Sequence, residues 1–319
     1  MADQSNTFQL LQRFAEQEHR VKPVDLSTGQ VDPEADILVV VAPERLQPKQ
    51  IFAIDQFLMQ GGTVVLATSP YDVNLQGRIS AVDKKSGLAE WLTGYGISME
   101  QTLVLDPQNA AFPIPVERQA GAYSIRETHL LNYPYFIDIR SDGMNRASGL
   151  LTGIDQLSMT WASPIKVDTD KNKGRQVVRL LESSKGSWLS DSLNIQPDFD
   201  RFGQAGFAQG EPAGRQLLAV LVEGSFDSWF KGKTSPLIDE ARKQAEQERK
   251  AKETKEANAA PDQPAEPAAA KKPEVIGRVL ERSPDSARII LLASNTFLAD
   301  ASLELASGAG GTRYLNPLQ

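Results

Sequence analysis

The chain has 319 residues, a formal net charge of −7 at pH 7, 40% hydrophobic and 24% charged residues, and no cysteine. That length supports one large or two ordinary cores, and the missing cysteine excludes disulfides, thiolate metal sites and cysteine nucleophiles. The one segment dense in Lys and Arg, Arg242 to Lys255, is interleaved with Glu246, Glu248, Glu253 and Glu256, so no nucleic-acid partner is expected.

The opening MADQSNTFQLLQRF lacks a positive region followed by an apolar core, so no signal peptide is expected. The longest apolar runs, such as ILVVVA, are far short of the ~20 residues that span a bilayer, and the segment is expected to be soluble. Ser5 or Asn6 is placed to cap a helix whose Phe8, Leu11, Phe14 and Ala15 share a face. Val21 to Leu26 reads as a strand. Asp36 to Ala42, DILVVVA, is a continuous β-branched run, as in a strand buried on both faces of a parallel sheet. Pro48 suits a first helical turn, and Ile51, Ile54 and Leu58 mark an amphipathic helix to Gln60. Gly61-Gly62 and a second buried strand, Thr63 to Ala67, follow. A helix near Leu88 to Tyr95 and a strand at Thr102 to Asp106 continue the alternation, which predicts a doubly wound, mostly parallel α/β sheet.

From about Pro107 the pattern breaks into short pieces, among them Tyr135 to Arg140 and Val177 to Ser184. The expected organisation is a first part of the α/β core at 1–106, a β-rich inserted lobe at 107–214, and completion of the core at 215–236 and 274–319. Buried strands at Arg215 to Glu223 and Ala287 to Ala293 belong to that completion. Between them, 237–273 is helix-prone without an apolar stripe and then rich in Ala and Pro, which predicts a frayed helix running into a disordered low-complexity linker.

Glycines beside a strand raise the question of a phosphate cradle. Such a cradle runs strand, glycines, helix; here the order is helix, Gly61-Gly62, strand, so the pair is expected to cap a helix. Ser307 to Gly311 follows a helix and reads as a loop. Asp168-Thr169-Asp170-Lys171-Asn172 opens like a calcium loop, but Lys173 stands at the sixth position and Arg179 at the twelfth, which favours a polar hairpin. His19 and His129 are far apart and belong to no recognisable zinc or triad motif, so no metal or other cofactor is expected. Ligands of open α/β sheets sit at the carboxyl ends of strands, which nominates Ser69, Asp72, Ser294 and Asn295 as ligand-binding candidates, with turn and cap duty as the alternative.

ADILVVVAPERLQPKQIFAIDQFLMQGGTVVLATSP resembles the hallmark segment of the GldG-type auxiliary proteins of ABC transporters, found in gliding-motility and uncharacterised export systems. VVRLLESSKGSWLSDS, LLAVLVEGSFDSWFKGK and ARIILLASNTFLAD resemble three further stretches of that family, in the same order. Ser294 and Thr296 depart from the acidic residues common after its last strand, and Gln47 stands where a serine-like helix cap is common. The resemblance implies membrane spans outside this segment, a place on the periplasmic or other extracytoplasmic face, and partnership with permease and ATPase subunits; homo- or hetero-oligomerisation is left open. It also implies relatives among intraflagellar-transport subunits and, distantly, class I glutamine-amidotransferase-like folds, whose chemistry needs a cysteine that this chain lacks. The expected function is a non-catalytic binding or scaffolding domain. The alternatives are a receptor for a saccharide or other small solute at the strand-end crevice and a hydrolase using an unrecognised Ser/Asp/His set.

Overall fold

The computed structural model describes residues 7–75, 78–120, 123–257 and 278–308. The chain begins with α1 (Gln9–Ala15), then β1 (Ile37–Val41), α2 (Pro48–Met59) and β2 (Thr63–Ala67). A hairpin of β3 (Tyr71–Asn74) and β4 (Ser80–Asp83) precedes α3 (Ala89–Gly94) and the short strands β5 (Ile97–Met99) and β6 (Leu103–Leu105). Two long strands, β7 (Asn109–Ala120) and β8 (Tyr123–Arg140), lead to β9 (Gln156–Thr160), β10 (Ile165–Val167), β11 (Gln176–Glu182), β12 (Trp188–Ser190) and α4 (Phe199–Phe202). The last elements are β13 (Leu217–Glu223), α5 (Pro236–Ala257), β14 (Arg288–Leu292) and α6 (Asp300–Gly308).

The fold is mixed α/β. Its main sheet has the order β1-β2-β14-β13-β11; β1/β2 and β2/β14 are parallel, whereas β14/β13 and β13/β11 are antiparallel. The aliphatic runs read from sequence at β1, β2, β13 and β14 are all in it, and β14, though last, lies between β2 and β13. One face packs Leu38, Val64, Leu66, Val220 and Ile289 against Ile54 and Leu58 of α2 and Trp91 and Leu92 of α3. The other face packs Ala67, Ala219 and Leu221 against Ile137, Ile139, Leu157 and Met159 from β8 and β9. A third cluster is aromatic, built on Tyr133, Phe136, Trp161, Trp188 and Phe207 beneath the β3–β4 hairpin.

Three expected strands differ from the structure. Val21 to Leu26 is not a strand: the segment ends in a turn at Leu26–Thr28, where the Asp25 side chain accepts from Ser27 N–H at 2.9 Å, and Pro23 offers no N–H to a ladder. The strand at 103–105 does not extend the main sheet; β6 pairs antiparallel with β12. The strand read at Val177 to Ser184 within the β-rich region is β11, the far edge of the main sheet. The helix-prone half of 237–273 lies in α5, and 258–277 falls outside the described residues.

Two helix ends show how local chemistry sets the frame. At the end of α2, Gly61 has φ +95°; its N–H donates to Leu58 O at 2.9 Å and Gly62 N–H donates to Phe57 O at 3.2 Å. These are the two bonds of a Schellman cap, so the glycine pair terminates a helix. Gly61→Ala is expected to cost about 1–2 kcal/mol of unfolding free energy in a denaturant titration, because a side chain in the left-handed region is strained and its Cβ would sit 2.8 Å from Pro284 Cγ. At α1, whose candidate caps Ser5 and Asn6 lie outside the described residues, the Gln9 and Leu10 N–H groups donate to the Asp300 carboxylate at 3.1 and 2.9 Å. Asp300→Ala is expected to remove about 1 kcal/mol and to speed amide exchange in α1 selectively.

Candidate functional site

Three of the four nominated residues converge where β2 and β14 end. Ser69 Oγ lies 3.0 Å from Ser163 Oγ and accepts from Tyr71 N–H at 3.2 Å. Ser294 Oγ donates to Thr160 O at 2.6 Å and accepts from the N–H groups of Thr296 and Phe297, both at 3.2 Å. Asn295 Nδ2 donates to Ser69 O at 2.9 Å and to Tyr71 O at 2.6 Å. All three are buried, and Thr160, the last residue of β9, and Ser163, just beyond it, reach them. Two side-chain atoms in this layer, Thr68 Oγ1 and Asn295 Oδ1, are buried with no hydrogen-bond partner. Asp72 stands apart on β3, half-buried, with Lys84 Nζ at 2.6 Å across the hairpin. The arrangement is a polar seam that ties the sheet to the β8–β9 layer.

The most concentrated polar site lies on the opposite face and was not nominated from sequence. Asp55, fully buried on α2, accepts five hydrogen bonds. Its Oδ1 receives Trp91 Nε1 at 3.0 Å, Tyr95 Oη at 2.5 Å and Trp229 N–H at 3.1 Å. Its Oδ2 receives Ser228 Oγ at 2.5 Å and Gln56 Nε2 at 3.1 Å. Gln56 in turn accepts from Leu280 N–H at 2.7 Å and donates to Leu280 O at 3.3 Å. One carboxylate thus binds α2, α3 and the turn after β13, using donors in place of a cation, and Gln56 extends the network to the segment returning to β14. A signal was present in the sequence: an aspartate between Ile51, Ile54 and Leu58 interrupts an apolar helix face.

Both ends of the excursion that carries α5 are fastened beside this hub. Ser228 N–H donates to Glu281 O at 2.8 Å and Ser283 N–H to Phe226 O at 2.9 Å. Leu237 packs with Phe52 and Phe230, Lys49 Nζ meets Glu240 at 2.7 Å, and 242–250 is exposed beyond.

Burial raises the Tyr95 hydroxyl far above its ordinary 10.0, with the neighbouring Asp55 carboxylate adding to the rise. Burial also raises Tyr133 and pushes Tyr135 up to about 12. In the unfolded chain these tyrosines ionise near pH ~10. Their contribution is therefore intact below that pH, and above it the unfolded state releases protons first and stability falls. An alkaline titration of unfolding free energy should bend downward above pH ~10, and Tyr95→Phe should shallow the slope.

The remaining polar motifs have structural partners. Asp168 Oδ1 accepts from the N–H groups of Asp170 and Lys171 at 2.9 and 3.1 Å, and Asn172 is buried, donating to Tyr95 O at 3.2 Å. The loop is a turn that anchors on α3. Among the described residues no group of three or more His, Asp or Glu side chains is placed to hold a metal. His19 is exposed. An open groove of about 580 Å³ lies between Arg78, Asn194, Gln196 and Phe199.

The profile of a family described as an ABC-type uncharacterized transport system matches residues 2–314. An uncharacterized protein of Borreliella burgdorferi (strain B31) is 24% identical over 225 residues, which are 67% of this chain and 41% of that protein. The chain therefore spans less than half of that relative's length. Among solved structures, the mmIFT52 N-terminal domain matches with a TM-score of 0.44 and 9% identity, over 95% of this chain and 85% of that chain.

Proposed function

Because the chain belongs to the ABC-type uncharacterized transport system family, as an auxiliary component, we propose that it is a non-catalytic binding or scaffolding domain of a membrane transport complex. The observation that carries this reading is where the polar chemistry is spent. Ser69, Ser294 and Asn295 bond to neighbouring strands and loops, and the buried Asp55 carboxylate is occupied by five donors. Such groups fix surfaces in place and leave little with which to perform acid–base work. Residues 1–106, 215–236 and 274–319 then act as one doubly wound, Rossmann-like unit, with 107–214 as an accessory lobe that lends β11 to its sheet.

The finer reading is that this unit faces the extracytoplasmic side, as in a GldG-type protein of an export or gliding-motility system. It would be tethered by spans elsewhere in the polypeptide and would contact permease or ATPase subunits. Among the described residues no helix is long and apolar enough to cross a membrane. This chain has no cysteine of its own, and Leu150 is 52% exposed; Leu150→Cys in the full-length protein should add labelling by a membrane-impermeant maleimide, over that of the unsubstituted protein, on intact bacteria or spheroplasts. Labelling only after lysis would place the domain on the inner side.

The second reading, a receptor for a saccharide or other small solute, is favoured by one observation: Thr68 Oγ1 and Asn295 Oδ1 are buried acceptors without partners at a strand end. A ligand at 100 times its dissociation constant adds about 2.7 kcal/mol of stability, readable as a thermal shift that Asn295→Ala abolishes. A screen of sugars, peptides and nucleotides with no shift would remove this reading and leave the scaffold reading standing.

A further inference from the structure

β1 is one edge of the main sheet and pairs with β2 alone. Thr63 N–H donates to Asp36 O at 3.2 Å and Ala42 N–H donates to Ala67 O at 2.8 Å. By the alternation of a parallel ladder, the even-numbered residues of β1 direct their backbone groups at β2, and Ile37, Val39 and Val41 direct theirs away from the sheet. Those outward groups have no partner among the described residues. Their side chains share one face, where Ile37 is 55% and Val39 54% exposed. Sheet edges are ordinarily blunted by lysine, proline, a bulge or an inward charge. The sequence ILVVV has none of these.

We propose that a second copy of this chain pairs antiparallel with β1 about a two-fold axis at Val39, joining two five-stranded sheets into one of ten. In that register Val39 lies opposite Val39 of the other copy and Ile37 opposite Val41, so every outward N–H and C=O of the three residues finds a partner. The facing side chains make apolar cross-strand pairs. The strand carries no charge, so the net charge of −7 does not oppose the contact locally. At each end Asp36 comes beside the other copy's turn at 42–45, where the Arg45 side chain is 78% exposed and its recorded ion-pair contact is with Glu44, its neighbour, at 4.0 Å. Parallel pairing is disfavoured, because it would set Asp36 against Asp36 and would not close.

Sedimentation equilibrium over a range of concentrations tests the proposal: the mass should rise from 34.9 kDa toward twice that value. Val39→Lys and Arg45→Glu should each raise the dimer dissociation constant by about tenfold or more while leaving the far-ultraviolet circular dichroism unchanged. Residues opposite in such a register have Cα atoms about 5.5 Å apart, within disulfide reach, so Val39→Cys should cross-link copies under mild oxidation. Val82→Cys, exposed on β4, should not. A chain that stays monomeric, a dimer that survives Val39→Lys, or cross-linking at Val39→Cys no greater than at Val82→Cys overturns the proposal. A β1 that pairs only with a strand of another protein would give the monomeric result and so also count against it. The location and partner tests of the transport role are unaffected by any of these outcomes.

Discussion

Replacing Asp55 with alanine is expected to lower the unfolding free energy by about 3–5 kcal/mol, a large share of the ~5–15 kcal/mol typical of a folded protein. The loss arises because five donors lose this acceptor at once: the Trp91 indole, the Tyr95 and Ser228 hydroxyls, the Gln56 amide, which keeps Leu280 O, and the Trp229 backbone N–H, which keeps Tyr95 Oη. Asp55→Asn keeps the shape, but its amide nitrogen cannot accept from the donors that meet Oδ2, so roughly 2–4 kcal/mol should still be lost. Tyr95→Phe removes a single donor to a carboxylate and should cost about 1.5–3 kcal/mol. Urea titrations of the three variants should rank them in that order, and a loss below ~1 kcal/mol for Asp55→Ala would show that water takes over the hub.

Trp161→Ala is expected to cost about 3–5 kcal/mol, here through packing. Trp161 is fully buried, meets the Phe136 ring edge-on at 4.8 Å, and donates its indole N–H to Tyr133 Oη at 3.3 Å. Its φ of +46° places a large side chain in the left-handed region, a strain that alanine does not relieve. The backbone beside it links the aromatic cluster to the main sheet: Trp161 N–H donates to Tyr135 O, Val104 N–H to Ala162 O, and Ser163 N–H to Ala293 O, at 2.9, 2.9 and 3.0 Å. The substitution should therefore also raise amide exchange at Val104 and Ser163. Unchanged exchange there, with stability lost only from the aromatic cluster, would mean that the two cores open independently.

The parts of the fold legible in sequence are those in which one physical signal dominates. β1, α2, Gly61-Gly62 and β2 follow from a β-branched run, a helical period and a left-handed cap, but β1, read as buried on both faces, is an edge strand with Ile37 and Val39 exposed, because a β-branched run does not tell an edge from a centre. The aliphatic runs of β13 and β14 likewise announce buried strands. Strand direction was not legible, because an aliphatic run reads the same in either sense; the antiparallel ladder of β13 and β14 and the fasteners Ser228–Glu281 and Ser283–Phe226 make them the two legs of one excursion. The placement of β11 was hidden by the turns on either side of it, which resemble those of a lobe, while its partner β13 lies beyond β12 and α4.

At the candidate site, position was readable and partnership was not. Carboxyl ends of neighbouring strands bring Ser69, Ser294 and Asn295 together, as strand order alone implies. The groups that meet Ser69 and Ser294, Ser163 and Thr160, are 94 and 134 residues away. Asp72 was assigned to the same crevice because the hairpin that pairs it with Lys84 was not foreseen. Asp55 could have been found, since a carboxylate in an apolar helix stripe must either be solvated or collect donors.

The proposed role as a binding or scaffolding domain of a transport complex is tested most directly by recovering the tagged full-length protein from solubilised membranes of cells that also produce its cognate transporter. Permease and ATPase subunits should be retained in a fixed ratio to this protein through a second purification step, without any added solute. Recovery of the protein free of both, from membranes that demonstrably contain them, would contradict it.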